Sequence, residues 1–228
     1  MVEYLFLDLD DTILDFHKAE QVALSKTFRE FGIEPTEEVL QRYHVINKWH
    51  WEQLELGKMT RAEVQTGRFH MLFEERGVAA DPAAVTAKYM ENLGIGHYFL
   101  PGAEETVELL SKQYRLFLAS NGTASVQKGR MTSANLYRFF EQVFVSEEIG
   151  HNKPSRDFFE TAFSRIPGFD PEKALMVGDS LSSDIKGGIN AGIRTCWVNP
   201  TGEPAEGDIR ADWEIRALNQ LPALLETL

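Results

Sequence analysis

Apolar residues along this chain follow two different rhythms. Continuous apolar runs at residues 4–10, 115–119, 142–145, 174–177 and 195–198 have the length of strands buried on both faces. Between them, residues 103–113, 124–134, 154–166 and 183–191 carry helical periodicity, and the alternation predicts a parallel sheet with helices on both faces. Residues 212–215 read as one more short strand before a closing helix at 218–225. The interval 17–98 breaks this order, because it offers helical periodicity and almost no strand-like run. Helices are predicted there at 18–31, 36–56, 60–76 and 82–93. Punctuation supports those ends: Gly32 and Gly77 stand where helix-stopping glycines belong, Thr60 precedes Glu63 by three residues as in a capping box, and Asp81-Pro82 can open a helix. Leu100-Pro101-Gly102 then turns the chain back toward the sheet. The expected fold class is α/β, a Rossmann-like parallel sheet built from residues 1–16 and 99–228, with an inserted all-helical domain at 17–98.

Charge narrows the partners. With 23 Lys and Arg against 35 Asp and Glu the net charge is −12, so neither a nucleic acid polymer nor a membrane surface finds a general attraction. The apolar run at the amino terminus is too short and too acid-flanked for a signal peptide, and no stretch approaches the ~20 apolar residues of a membrane span. A cytoplasmic location is expected. One cysteine, Cys196, excludes an intrachain disulfide and cysteine-based zinc sites, and inside an apolar run it reads as a packing residue. The six histidines show no His-Glu-x-x-His spacing, and phosphate-binding glycine loops of the Walker and dinucleotide kinds are missing.

Candidate chemistry gathers at the outgoing ends of the strands. Asp8, Asp10 and Asp11 crowd the first; if the backbone stayed extended, Asp8 and Asp10 would share one side, ~7 Å apart at ~3.3 Å per residue. Ser120-Asn121-Gly122 ends another strand with a hydroxyl, an amide and a glycine. Lys153-Pro154 places an ammonium just before a helix whose first position is proline, and Gly178-Asp179 with Asp184 delivers carboxylates again. In an open parallel sheet this edge is where ligands bind. Aspartates converging there repel one another, a conflict that a divalent cation resolves, and a donor set of oxygens without thiolates or paired histidines favours Mg²⁺ over zinc.

These residues resemble the motifs of the haloacid dehalogenase superfamily. Its phosphatase members carry Asp-x-Asp-x-Thr, here Asp8-Leu9-Asp10-Asp11-Thr12, and Ser120 with Asn121-Gly122, Lys153 before Pro154, and Gly178-Asp179 through Asp184 match the second, third and fourth motifs. The resemblance implies a helical cap at 17–98 and a Mg²⁺-dependent phosphomonoesterase in which Asp8 attacks phosphorus to form an aspartyl-phosphate while Asp10 serves as general acid and base. It further implies that the Asp8 side chain, the Asp10 backbone carbonyl and Asp179 hold Mg²⁺, that Ser120, Asn121 and Lys153 grip the phosphate, and that Asp184 orients Lys153 or a metal-bound water. Haloacid dehalogenases proper typically lack the second aspartate of the first motif, so Asp10 and Asp179 argue against that activity. Phosphomutases keep all four motifs and stay open as an alternative, as do phosphatases of phosphoglycolate or sugar phosphates and a catalytically silent binding protein.

In the helical insertion, Asn47-Lys48, Trp51, Gly57, Thr60 and Gly67-Arg68-Phe69 are similar to the YjjG-like pyrimidine 5′-nucleotidases, as are Val145-Ser146-Glu147-Glu148 and Gly187-Gly188-Ile189-Asn190-Ala191-Gly192 with Thr195-Cys196-Trp197 in the sheet domain. That likeness implies a nucleoside 5′-monophosphate as the small-molecule partner of a monomer or dimer. Asn47 and Lys48 are the expected recognition residues, because packing has no need of them, while Tyr43, Ile46 and Leu54 are expected to face the insertion's own core.

Overall fold

Among the described residues of the computed structural model, 1–205 and 207–228, six strands form one sheet. They are β1 (Tyr4–Leu7), β2 (Arg115–Ser120), β3 (Gln142–Val145), β4 (Ala174–Gly178), β5 (Arg194–Val198) and β6 (Trp213–Ile215). Their order is β3-β2-β1-β4-β5-β6 and every pairing is parallel. Side chains alternate across a strand, so neighbours on β1 serve opposite cores. Leu5 and Leu7 join Leu118, Val177, Cys196 and Met131 on one face. Tyr4 and Phe6 join Phe117, Phe144, Met176 and Phe158 on the other. There the rings of Phe6, Phe117 and Phe144 form a mutually stacked triad, with centroids 5.2, 6.1 and 6.4 Å apart.

Helices fill both rhythms seen in the sequence. They are α1 (Phe16–Glu30), α2 (Glu37–Glu55), α3 (Arg61–Arg76), α4 (Pro82–Leu93), α5 (Ala103–Ser111), α6 (Ala124–Ser133), α7 (Ser146–Ile149), α8 (Arg156–Ser164), α9 (Lys186–Ala191) and α10 (Leu221–Leu225). No helix of the described residues is long and apolar enough to cross a membrane.

The chain divides into two compact units, one comprising Met1–Phe16 with His97–Leu228, the other His17–Gly96. Capping explains the ends of the helices in the second. Thr60 and Glu63 form a reciprocal capping box at the start of α3, and Gly77 closes that helix at φ 63°, a left-handed conformation that costs glycine nothing. Aromatic packing holds the unit together: Phe28, Tyr43, Phe69 and Tyr89 are fully buried, with ring centroids 5.0 Å apart for Tyr43 and Phe69 and 5.4 Å for Phe69 and Tyr89. Ile46 and Leu54 are buried as well, whereas Trp49 is exposed.

Three local expectations change. The first strand ends at Leu7, so strand geometry does not carry on to Asp10. Helix α8 begins at Arg156, where the Ser155 hydroxyl accepts the Asp157 N–H as N-cap, so Pro154 lies ahead of the helix and not at its first turn. A π-helical turn, Leu181–Ile185, precedes α9 in place of one continuous helix.

Candidate active site

Parallel register fixes the floor of the site. Leu7 lies level with Leu118 on β2 and Val177 on β4, so the residues that follow leave the sheet side by side at its carboxyl edge. The strand order also reverses at β1, the place where open α/β sheets form their binding crevice. The Asp8 N–H still reaches the Val177 carbonyl at 2.9 Å, and then the chain coils. The Ile13 and Leu14 N–H groups both donate to the Leu9 carbonyl, and Asp11 takes φ 53° with its carboxylate accepting the Phe16 N–H at 2.9 Å. A short acidic side chain that bonds locally is one of the few that tolerate this left-handed backbone.

Lys153 is the hub of the buried charges. It is 1% exposed, and its ammonium donates to Asp8 Oδ1 at 2.7 Å, Asp184 Oδ1 at 2.6 Å and the Ala119 carbonyl. An ammonium has three protons and all three are used here, so any further acceptor would be bonded only in exchange for one of these partners and would otherwise meet the ammonium through its charge alone. Burial opposes the positive charge, but Asp184 and then Asp8 outweigh it and raise the pKa above the usual lysine range. Asn121 locks the segment carrying Lys153: its amide donates to the Lys153 carbonyl at 2.8 Å and to Ser183 Oγ at 3.1 Å, and its oxygen accepts the Lys153 N–H at 2.8 Å. The Asn121 side chain is thus a brace, which the expected phosphate contact did not anticipate.

Asp8, Asp179 and Asp184 each present an oxygen, and those atoms lie within 4.8 Å of one another. Gly178 makes this possible, because a side chain there would collide with the Asp184 carboxylate. Asp184 Oδ2 accepts the Ser180 N–H, and the Trp197 indole N–H holds the Asp179 carbonyl at 2.7 Å. Asp8 is pushed up to about 8, first by burial and then by Asp184 and Asp10, against the opposing pull of Lys153. Asp179 is raised well above the carboxylate range by burial, Asp184, Asp8 and Asp11. Such a cluster has more negative charge than Lys153 offsets, and its all-oxygen donors fit a hard divalent cation.

Two residues that the sequence reading missed complete the site. Ser120 Oγ accepts the Gly122 N–H at 3.1 Å and the Gln127 amide at 2.8 Å, which occupies both lone pairs and leaves its O–H as a donor. Gln127 also donates to Asp10 Oδ2 at 2.7 Å, and the guanidinium of Arg130, fully buried, pairs with Asp10 Oδ1. Gln127 and Arg130 stand three apart on α6 and so share one face. The available signal was a glutamine and an arginine on the helix directly after Ser120, on the face that also buries Val126 and Met131.

The expected recognition pair lies in the helical unit and divides. Lys48 is exposed. Asn47 is buried, its amide donating to Glu20 Oε1 at 2.7 Å and its oxygen accepting from Arg68 at 2.7 Å, so both ends are engaged inside the unit. Buried polar groups need such partners, which is a use for Asn47 that the sequence reading left out.

A family model described as haloacid dehalogenase-like hydrolase matches residues 4–198 of the chain. The chain belongs to this family. Among haloacid dehalogenase-like hydrolases it is 42% identical to the HAD-hydrolase YfnB of Bacillus subtilis, over 97% of this chain and 94% of that one. It is 39% identical to the pyrimidine 5′-nucleotidase PynA of Streptococcus pneumoniae, over 87% and 84%, and 30% identical to the pyrimidine 5′-nucleotidase YjjG of Escherichia coli, over 98% and 97%. A crystal structure of YfnB bound to magnesium, for which interdomain movement is described, superposes with a TM-score of 0.94 at 41% identity over 98% of both chains. The L-2-haloacid dehalogenase of Xanthobacter autotrophicus, at 16% identity and a TM-score of 0.78 over the whole of both chains, shares the fold. As in the family's name, the gathered groups suit a hydrolase: a buried carboxylate beside an ammonium, a hydroxyl donor, and a second carboxyl held in place by Gln127 and Arg130.

Proposed function

We propose that the chain is a Mg²⁺-dependent phosphomonoesterase that works through an aspartyl-phosphate and acts on nucleoside 5′-monophosphates, pyrimidine or modified pyrimidine. The carrying observation is the convergence of Asp8, Asp179 and Asp184, whose oxygens lie within 4.8 Å of one another, with the Lys153 ammonium bonded to Asp8 and Asp184. On this reading residues 1–16 and 99–228 are the catalytic core of a cytoplasmic enzyme, monomer or dimer, and 17–98 are its cap.

The chemistry follows from the side chains. An Asp8 carboxylate oxygen attacks phosphorus, and the bond from phosphorus to the departing ester oxygen breaks as Asp10 gives that oxygen its proton. Asp10, now ionised, takes a proton from water as that water attacks phosphorus, which releases inorganic phosphate and restores Asp8. Lys153 keeps Asp8 aimed, and the Ser120 O–H donates to a phosphate oxygen. Gln127 and Arg130 fix the position of the Asp10 carboxyl group for both proton transfers. The Asp8 side chain, Asp179 and the Asp10 carbonyl would hold Mg²⁺, which when bound supplies positive charge against the carboxylates and the transferring phosphoryl group.

Support for the substrate class comes from relatives named pyrimidine 5′-nucleotidase that align over most of the chain. A second reading has its own observation: the glyceraldehyde 3-phosphate phosphatase of Methanothermobacter thermautotrophicus is 28% identical over 91% of the chain. A hydrolysis screen with Mg²⁺ over nucleoside monophosphates, triose and sugar phosphates and phosphoglycolate separates them. Pyrimidine nucleotides should give the highest kcat/KM; a preference for a triose or sugar phosphate would replace the nucleotidase reading while leaving the chemistry intact.

A further inference from the structure

A second group of ligating side chains lies within the helical unit, and it differs in kind from the all-aspartate cluster. His17 and Glu20 stand three residues apart on α1, hence on one face, and His44 comes from α2. One nitrogen from each imidazole and one Glu20 oxygen lie within 4.8 Å of one another. His44 Nδ1 is 2.9 Å from Glu20 Oε2, and the rings of His17 and His44 sit 4.8 Å apart at a 51° tilt. Donors around a tetrahedral zinc ion at ~2.0–2.1 Å are about 3.4 Å from each other, so modest side-chain rotation would close the set on one ion.

The support behind Glu20 is the second observation. Glu20 is 3% exposed, and its other oxygen accepts from Asn47, whose own oxygen is held by Arg68. A carboxylate fixed by a relay of buried hydrogen bonds, with one oxygen turned to an imidazole, has the outer support found around metal ligands. His17 is exposed and gives an ion access. Two imidazoles and one carboxylate suit zinc-like transition ions, whereas Mg²⁺ prefers oxygen alone. We propose that His17, Glu20 and His44 form a second cation site, selective for Zn²⁺ or a similar d-block ion. It stands independently of the proposed catalysis.

Equilibrium dialysis of the full chain against Zn²⁺ in excess Mg²⁺, with a parallel Co²⁺ titration read by visible absorption, tests the site. One Zn²⁺ per chain should bind, and bound Co²⁺ should give the intense absorption of a low-coordinate N/O site. His17→Ala, a change at an exposed position, should weaken binding by about tenfold or more. His17→Ala/His44→Ala should abolish it, and Asp179→Asn should leave it unchanged. No stoichiometric Zn²⁺ would make the cluster an ordinary Glu20–His44 ion pair, and Zn²⁺ lost from Asp179→Asn but kept by His17→Ala would return it to the aspartate cluster. Either result overturns the proposal.

Discussion

Replacing Asn47 by alanine separates recognition from architecture. The side chain makes two 2.7 Å hydrogen bonds, one to the Glu20 carboxylate and one from the Arg68 guanidinium, in a position 3% exposed. Bonds to charged groups contribute ~1.5–3 kcal/mol each, so the gross loss is about 3–6 kcal/mol. Some of that returns, because Glu20 keeps His44 at 2.9 Å and Arg68 keeps the Gln65 carbonyl at 3.2 Å and the faces of Tyr43, Phe69 and Tyr89. A net loss of about 2–4 kcal/mol is expected, which at ~2 kcal/mol per molar of urea lowers the unfolding midpoint by about 1–2 M. Urea unfolding followed by circular dichroism measures it. The ratio of nucleotide to p-nitrophenyl phosphate hydrolysis, taken where the variant is fully folded, should stay near that of the parent. A midpoint shift below about 0.5 M together with a changed ratio would refute the structural role and restore Asn47 as a recognition residue.

Further expectations concern charge and position. In chelator, the raised Asp8 value of about 8 means that the folded state binds a proton that the unfolded chain, near 3.8, releases. Stability from that group is therefore full in acid and lost as pH rises through about 8, so thermal unfolding curves with and without Mg²⁺ should diverge steadily from about pH 5 to pH 8; a constant gap would count against the shift. Arg130→Met should cut kcat for nucleotides by about 10–100-fold with little change in KM, and cut hydrolysis of p-nitrophenyl phosphate less, because a good leaving group needs little proton donation. Equal losses on both substrates would detach Arg130 from the placement of Asp10. Burial pushes the Cys196 thiol up to about 12, so native protein should resist alkylation at pH 8 until denatured, and rapid labelling would contradict its burial in the core.

The sheet was legible because its strands are buried on both faces and read as continuous apolar runs, and parallel pairing made the α/β alternation visible. Helix ends were legible where a cap is local, as at Thr60 and Gly77. The route beyond Leu7 was not, because it depends on Asp11 entering left-handed backbone and on hydrogen bonds back to Leu9 that no residue pattern announces. Asn47 misled for a related reason: a polar residue on a helix looks available until its partners Glu20 and Arg68, 27 and 21 residues away in sequence, are brought to it. Gln127 and Arg130 were hidden in the same way, since their partner Asp10 is 117 and 120 positions distant.

Trapping the covalent intermediate tests the central claim most directly. Rapid acid quench of the Mg²⁺-loaded protein with a nucleotide labelled in its phosphate should leave label on the wild-type chain, released by mild base as an acyl phosphate is. Asp8→Asn should carry none and turn over no substrate, because an amide does not attack phosphorus. Label retained by Asp8→Asn, or appreciable turnover in that variant, would contradict the account.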